Sequence, residues 1–263
     1  MARFCPLFSS SSGNSIYIGG ASGGILIDVG VSARRTAEAL KGIGVEIDSI
    51  GAIFVTHEHS DHVSGLRVFA GSHGIDVYTS QGTLDALETM NILNEKYTAR
   101  VIPSGGVEAC GMFVRAFATS HDSNESVGFV IMTPDGRRIA VATDTGIIND
   151  ETMEGLLTSD LVMIESNHDV RMLQNGPYPY YLKRRVLSSE GHLSNDDCAI
   201  TAKMLLQNGT TRFILGHLSK QNNFPQLAYQ TTYAALCETG AQENIDYVLS
   251  VAGGIEGPQI TVF

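Results

Sequence analysis

The sequence predicts an α/β protein in which short apolar strands, separated by helical segments, end in residues of metal-binding type. Three observations carry this. The run Ile53-Phe54-Val55 is β-branched or aromatic and breaks off into His57-Glu-His59-Ser-Asp61-His62, which places ligand-type side chains at a strand exit. Strand-like runs over 113–118, 138–142 and 211–215 end in the same manner, in His121, Asp144 and His217. Between them lie stretches with apolar residues at helical spacing.

The chain has 263 residues and is 43% hydrophobic, so it can bury a substantial core, and no Pro/Ser-rich linker or charge run divides it. One domain over 1–263 is expected. A net charge of −11 argues against a globally basic nucleic-acid binder, so an anionic substrate has to be met by a local patch or by bound metal. Cys5, Cys110, Cys198 and Cys237 are scattered and form no C-x-x-C pair, which suits a reducing cytoplasm better than a disulfide framework or a zinc finger. No long apolar leader and no membrane-length apolar run is present, so neither a signal peptide nor a membrane partner is expected.

Taken in order, the small-residue tract Ser9 to Ser15 reads as a loop ahead of the first strand, and Ile16-Tyr-Ile18 with Ile25-Leu-Ile-Asp28 as a hairpin. Ala33, Ala37, Leu40 and Ile43 follow helical spacing, with Ser32 as cap and Gly44 as stop. His57, His59, Asp61 and His62 occupy the loop after the next strand. In extended backbone, residues two apart face the same side, so His57 and His59 can close on one ion while Asp61 and His62 turn toward another. Val63, Leu66 and 68–70 indicate a helix ending near Gly71 or Gly74, and 76–79 a strand. Residues 81–98 are helical in composition.

The alternating 113–118 run delivers His121. Strands at 127–132 and 138–142, joined by the turn Pro134-Asp-Gly136, deliver Asp144. The strand 161–165 ends in Glu165, with Asn167, His168 and Asp169 behind it. Residues 171–185 are unusual in so acidic a chain: Arg171, Tyr178, Tyr180, Tyr181, Lys183, Arg184 and Arg185 concentrate there. Two readings fit equally, a solvated helix start with aromatics packing down and a substrate arm in which cations meet phosphates and rings stack on bases. His192 precedes a helix expected to be capped by Asn195, with Asp196 and Asp197 in its first turn. A strand at 211–215 delivers His217, a helix over 225–239 follows, and strands at 247–250 and 259–262 close a sheet.

His57-x-His59-x-Asp61-His62, followed by His121, Asp144 and His217, resembles the signature of the metallo-β-lactamase superfamily. Glu165-Ser-Asn-His168-Asp169, Asn175-Gly-Pro-Tyr-Pro179 and Gly191-His192-Leu-Ser-Asn195 resemble the bacterial YycJ (WalJ) family across essentially the whole chain. The superfamily resemblance implies an αββα four-layer sandwich, two mixed sheets face to face with helices outside and metals at one sheet edge. It implies two divalent ions, zinc or manganese with iron also compatible: His57, His59 and His121 on one, Asp61, His62 and His217 on the other, Asp144 bridging, and a hydroxide between them as nucleophile that Asp61 can orient. Asp28 is then a supporting partner for a ligand histidine, Glu165 and His168 sit behind the ligands, and His192 resembles the accessory histidine of tRNase Z and RNase J, with a role at the leaving group.

The YycJ resemblance implies a metal-dependent exonuclease acting on DNA in preference to RNA, 5′ to 3′ on duplexes. Asp144 stands where common zinc β-lactamases carry cysteine, which weighs against antibiotic hydrolysis. His59 stands where flavo-diiron oxidoreductases carry glutamate, and the short span from Asp144 to His192 leaves no room for the large insertion of RNase J. A thioester or lactone hydrolase of glyoxalase II type and an RNA-processing nuclease are the competing readings. A metal-bound regulator is disfavoured because no ligand is missing. Neither the ligand set nor the composition specifies the oligomeric state.

Overall fold

A computed structural model describes residues 1–253 and 260–262. The first sheet contains β1 (Arg3–Ser10), β2 (Gly13–Gly20), β3 (Gly23–Ile27), β4 (Ile50–Phe54), β5 (Val77–Thr79) and β6 (Ala99–Val101). The second contains β7 (Val107–Ala109), β8 (Met112–Ala118), β9 (Val127–Met132), β10 (Arg138–Ala142), β11 (Leu161–Glu165), β12 (Arg212–Gly216) and β13 (Val248–Val251). The last strand, β14 (Thr261–Val262), returns to the first sheet beside β1. The helices are α1 (Ala33–Gly42), α2 (Ser60–Val63), α3 (Leu66–His73), α4 (Gln81–Thr89), α5 (Asp150–Leu156), α6 (Val170–Asn175), α7 (Tyr180–Val186), α8 (Asn195–Gln207) and α9 (Pro225–Cys237).

The two sheets share one plan. In the first, β1, β2 and β3 pair antiparallel, and β3 through β6 then run parallel. In the second, β7 through β10 pair antiparallel and β10 through β13 run parallel. Strands covered on both faces have to be apolar throughout, and the alternation of Ile25, Leu26 and Ile27 shows how they are used. Ile25 and Ile27 face the second sheet, packing with Phe54, Phe129, Ile131 and Val141, and Leu26 faces the helices, packing with Leu40, Leu66 and Phe69. On the far side, Ala140, Val162 and Ile164 pack with Leu156, Leu205 and Leu236 of α5, α8 and α9. The result is the αββα sandwich. No helix among the described residues is long and apolar enough to cross a membrane.

Several local expectations change. The chain enters its first sheet at Arg3, ahead of the serine tract. Pro6 disguises β1, because it sits at a register irregularity between Pro6 and Phe8, where a missing N–H is tolerated. The serines finish this strand and turn into β2. Asp61 and His62 lie on the short helix α2. The 81–98 segment is helical only to Thr89. Ser194, whose side chain accepts from Asp197 N–H, caps α8, so Asn195 is its first residue. Helix α5 was not anticipated, and the final helix stops at Cys237. Gln259, expected at the start of the closing strand, lies outside the described residues.

Candidate metal centre

The carboxyl ends of β4, β8, β10 and β12 deliver seven donors to one edge of the sandwich. His57, His59 and His121 form one group, and Asp61, His62 and His217 another, each with ligand atoms within 4.8 Å of one another. Asp144 joins them: it groups with His57 and His62, and also with Glu165, His192 and His217. Its Oδ2 lies 3.2 Å from His62 Nε2 and its Oδ1 3.3 Å from His217 Nδ1. His59 Nδ1 and His121 Nε2 are 3.3 Å apart. Asp61 Oδ2 lies 3.7 Å from His62 Nε2 and 3.6 Å from His217 Nε2.

Each buried histidine of the two donor groups has its other nitrogen held from behind, which fixes ring orientation and tautomer. Asp28 Oδ2 is 2.7 Å from His62 Nδ1. The same carboxylate accepts from the N–H and hydroxyl of Thr56, and the Thr56 hydroxyl lies 3.0 Å from His57 Nδ1. His121 Nδ1 donates to the Gly191 carbonyl, 2.9 Å away. Glu165 serves two rings: its Oε1 is 2.7 Å from His217 Nδ1 and 2.8 Å from His192 Nδ1, while Oε2 accepts from Thr145 N–H and Leu193 N–H.

Backbone strain marks the same residues. Asp28, Asp144 and His217 have φ of 60°, 58° and 54°, a left-handed conformation that β-carbon sterics disfavour most for the bulky histidine. Close approach matters as well. Gly30 packs so tightly that a β-carbon there would stand 1.7 Å from the Asp61 carbonyl oxygen, so only glycine lets the β3 exit support the α2 turn.

The donors fit divalent metal ions. His57 Nε2, Asp144 Oδ2 and His217 Nε2 are buried without a hydrogen-bond partner, and buried polar atoms are ordinarily satisfied. Convergent imidazole and carboxylate donors are what a divalent cation requires. The charge states agree. Burial disfavours the charged form of His62, but the Asp144 and Asp28 carboxylates outweigh it and raise its pKa to about 10. His217 is likewise raised well above the ordinary value, with Asp144 and Glu165 overcoming burial. Both rings thus feel a field that favours a positive charge. His57 and His121 behave oppositely, burial being the main cause that lowers them. Burial works against the carboxylates, yet the His217 and His62 charges hold Asp144 well below the usual range, and His192 and His217 bring Glu165 to about 2.

The remaining candidates are placed less uniformly. His192 lies against the centre, its ring 5.0 Å from that of His121 and 5.3 Å from that of His217. His168 is buried, and neither ring nitrogen has a hydrogen-bond partner; burial lowers its pKa to about 4. It belongs to none of the ligand groups. The 171–185 stretch forms α6 and α7, joined by Gly176, Pro177, Tyr178 and Pro179. Tyr180 and Tyr181 are 76% and 74% exposed, Arg171 and Arg184 are exposed, and Tyr178 and Lys183 are half-buried. Lys183 Nζ donates to the Gln174 carbonyl. Arg185, expected to meet substrate, forms a two-pronged ion pair with Asp122, the neighbour of His121. Asn14 was missed: its Oδ1 accepts from Ser10 N–H, and its Nδ2 lies 3.0 Å from His62 Nε2. Thr56 was missed too, since a threonine beside a histidine motif carries no signal of its own.

Residues 24–218 match the model of the Beta-lactamase superfamily domain. The chain is 35% identical over 253 residues to Exodeoxyribonuclease WalJ of Streptococcus pneumoniae serotype 2, covering 93% of this chain and 92% of that protein. It is 36% identical over 242 residues to Exodeoxyribonuclease YycJ of Bacillus anthracis, covering 90% of each. Among solved structures, the metallo-beta-lactamase fold protein YhfI of Bacillus subtilis superposes with a TM-score of 0.72 at 12% identity, over 96% of this chain and 97% of that one. This last likeness concerns the fold alone.

Proposed function

Because this chain belongs to the beta-lactamase superfamily and, within it, to the family of the WalJ and YycJ exodeoxyribonucleases, we propose that it is a metal-dependent hydrolase that removes nucleotides from DNA ends. The observation that carries the reading is the pair of adjoining donor groups joined by Asp144. His57, His59 and His121 would hold one divalent ion, Asp61, His62 and His217 a second, and Asp144 would touch both. Zinc or manganese suits this donor set, and iron is compatible with it. When bound, such ions supply Lewis acidity that lowers the pKa of water and offsets negative charge on the attacked phosphate.

The chain's own groups do the rest. Asp61 carries a carboxylate oxygen at the edge of the second donor group, placed to accept a proton from the attacking water and fix its direction. Glu165 accepts from His192 Nδ1, which leaves Nε2 as the nitrogen available to the leaving group. Glu165 is held ionised, so it stabilises the imidazolium that donates a proton or a charge-assisted hydrogen bond to the departing oxygen. Exposed Tyr180, Tyr181 and Arg184 supply a stacking and phosphate-contacting surface that a thioester or lactone hydrolase does not need. The names of the relatives favour DNA over RNA, and the four free cysteines suit action in the cytoplasm.

The test is digestion of end-labelled single- and double-stranded DNA and RNA with added manganese or zinc. Stepwise loss of nucleotides from DNA, abolished in Asp61→Ala, is expected. Hydrolysis of a thioester or lactone with intact DNA at the end of the reaction would overturn the reading.

A further inference from the structure

We propose that Lys220, with the hydroxyls of Ser11 and Ser12, forms a phosphate-binding subsite on the rim of the centre beside Asp61 and His217. This rests on the phosphodiesterase reading above and adds a contact that none of the ligand or arm residues supplies.

The β1–β2 turn is tied to the centre at several points. Ser9 Oγ accepts from His217 N–H at 2.8 Å, and Ser10 forms a bridge with Leu218. From the other side of the turn, Asn14 Nδ2 reaches His62 Nε2 at 3.0 Å and the Asp61 carbonyl at 3.4 Å. The turn is thus fixed against all three donor residues of the second group. Lys220 leaves the same strand exit as His217, and its Nζ donates to Ser12 Oγ at 2.8 Å across 208 residues of sequence. Lys220, Ser11 and Ser12 are all exposed.

Three features make this a phosphate site rather than an ordinary surface contact. First, Lys220 Nζ meets the neutral Ser12 hydroxyl rather than a carboxylate, so its charge is not offset at that contact. Second, an ammonium has three N–H donors and the Ser12 contact uses one. The Ser12 hydroxyl, accepting from Lys220, keeps its own hydrogen to donate. Third, the arm borders the other donor group, because Ser120 Oγ donates to the Ser189 carbonyl and Asp122 pairs with Arg185. The serine turn with Lys220 borders the second donor group, so the arm and Lys220 lie against different donor groups of one centre, in a protein whose net charge is −11. A lysine acts there as a compact point charge on a phosphate oxygen.

The phosphate is either the terminal one of the strand being digested or an internal phosphodiester next to the scissile bond. The metal-loaded full chain and its Lys220→Ala, Lys220→Arg and Ser12→Ala variants are compared on duplex DNA ending in phosphate or hydroxyl, on duplex DNA with one methylphosphonate beside the cleaved bond, and on bis(p-nitrophenyl) phosphate. Lys220→Ala is expected to raise KM on DNA about 10-fold relative to any change on the small substrate, and to make the salt dependence shallower by about 0.9 in log–log slope. Lys220→Arg restores most of the loss, and Ser12→Ala shows a smaller rise. If the terminal phosphate is the ligand, the wild type distinguishes phosphate from hydroxyl ends and Lys220→Ala does not. If an internal phosphate is the ligand, the methylphosphonate reproduces the loss and Lys220→Ala adds nothing to it. An active wild type with an unaltered Lys220→Ala KM overturns the subsite, as does an equal loss on both substrate classes. A wild type that cleaves no phosphodiester overturns the underlying reading, and the subsite with it.

Discussion

The two sheets repeat one plan but furnish the centre differently. The first concentrates four donors, His57, His59, Asp61 and His62, on the single exit of β4, and braces them through Asp28 and Thr56. The second contributes one donor from each of three exits, after β8, β10 and β12, and braces His217 together with His192 through Glu165. A local motif has its geometry set by a few backbone dihedrals. A dispersed set depends on the sheet and on a shared buried acceptor. The second half should therefore be the more fragile, and its carboxylate should be tied to chemistry as well as to metal.

The sharpest break between them is expected from the two bracing carboxylates. Glu165→Ala leaves His192, His217 and two buried N–H groups without an acceptor, and such partners typically govern metal affinity by about 10- to 100-fold. Because His192 is disturbed as well, kcat on DNA should fall by ~10³-fold or more, even with metal saturating. Asp28→Ala removes the brace on His62 and the acceptor of the Thr56 N–H and hydroxyl but leaves His192 untouched, so excess metal should recover most of its activity. Recovery of Glu165→Ala by metal to the same degree would erase the distinction.

The two donor groups, each of which draws on both sheets, also differ in how protons compete with metal. His62, at about 10, and His217, raised well above its ordinary value, are protonated at neutral pH before an ion binds. A ligand nitrogen has to lose its proton, so binding to the Asp61, His62 and His217 group should release about two protons. Its affinity should then rise with pH above 7 while both rings remain protonated. His57 and His121 have lowered values, so these two ligands should add no proton release over the same range. Calorimetric titration in buffers of different ionisation enthalpy counts these protons. Equal proton release at both steps would show that the two groups are not separate sites.

What could be read from the chain follows the same division. His57 through His62 are legible because their spacing alone places them on one strand exit. His121, Asp144 and His217 could be proposed only from their order along strand ends, since each stands alone in sequence. Thr56, Asn14, Ser9 and Lys220 were not legible as site residues. Their roles arise from topology: β1 and β2 lie beside β3, and the serine turn is carried to a β12 exit 208 residues away. Arg185 shows the reverse case, because a basic run looks uniform in sequence until one member is found paired with Asp122.

His192 tests whether the second half does more than hold metal. With Nδ1 on Glu165, it needs no role as a ligand to account for its position. His192→Ala should keep its metal content, measured by elemental analysis, while kcat on DNA drops ~10²-fold. A p-nitrophenolate leaving group needs no proton and should be spared most of that loss. Loss of an ion from this variant would make His192 a ligand, and equal slowing of both substrates would remove it from the leaving group.

The smallest expected effect separates Arg184 from its neighbour on the arm. Arg184 is exposed and not engaged by any carboxylate within ion-pair distance among the described residues, so it can contribute one phosphate contact. Arg184→Ala should weaken DNA binding a few-fold, uniformly across sequences, and make the salt dependence shallower by about 0.9 in log–log slope. Arg185 holds Asp122, whose Oδ1 lies 3.4 Å from His121 Nε2. Releasing that carboxylate beside a dispersed ligand should disturb the metal half itself, so Arg185→Ala should slow a small phosphodiester as much as DNA. Anisotropy titrations across a salt series, set beside turnover of bis(p-nitrophenyl) phosphate, distinguish the two. If both variants behave as simple phosphate contacts, the Arg185–Asp122 pair does not couple the arm to His121, and the second half is less dependent on its surroundings than its dispersed geometry implies.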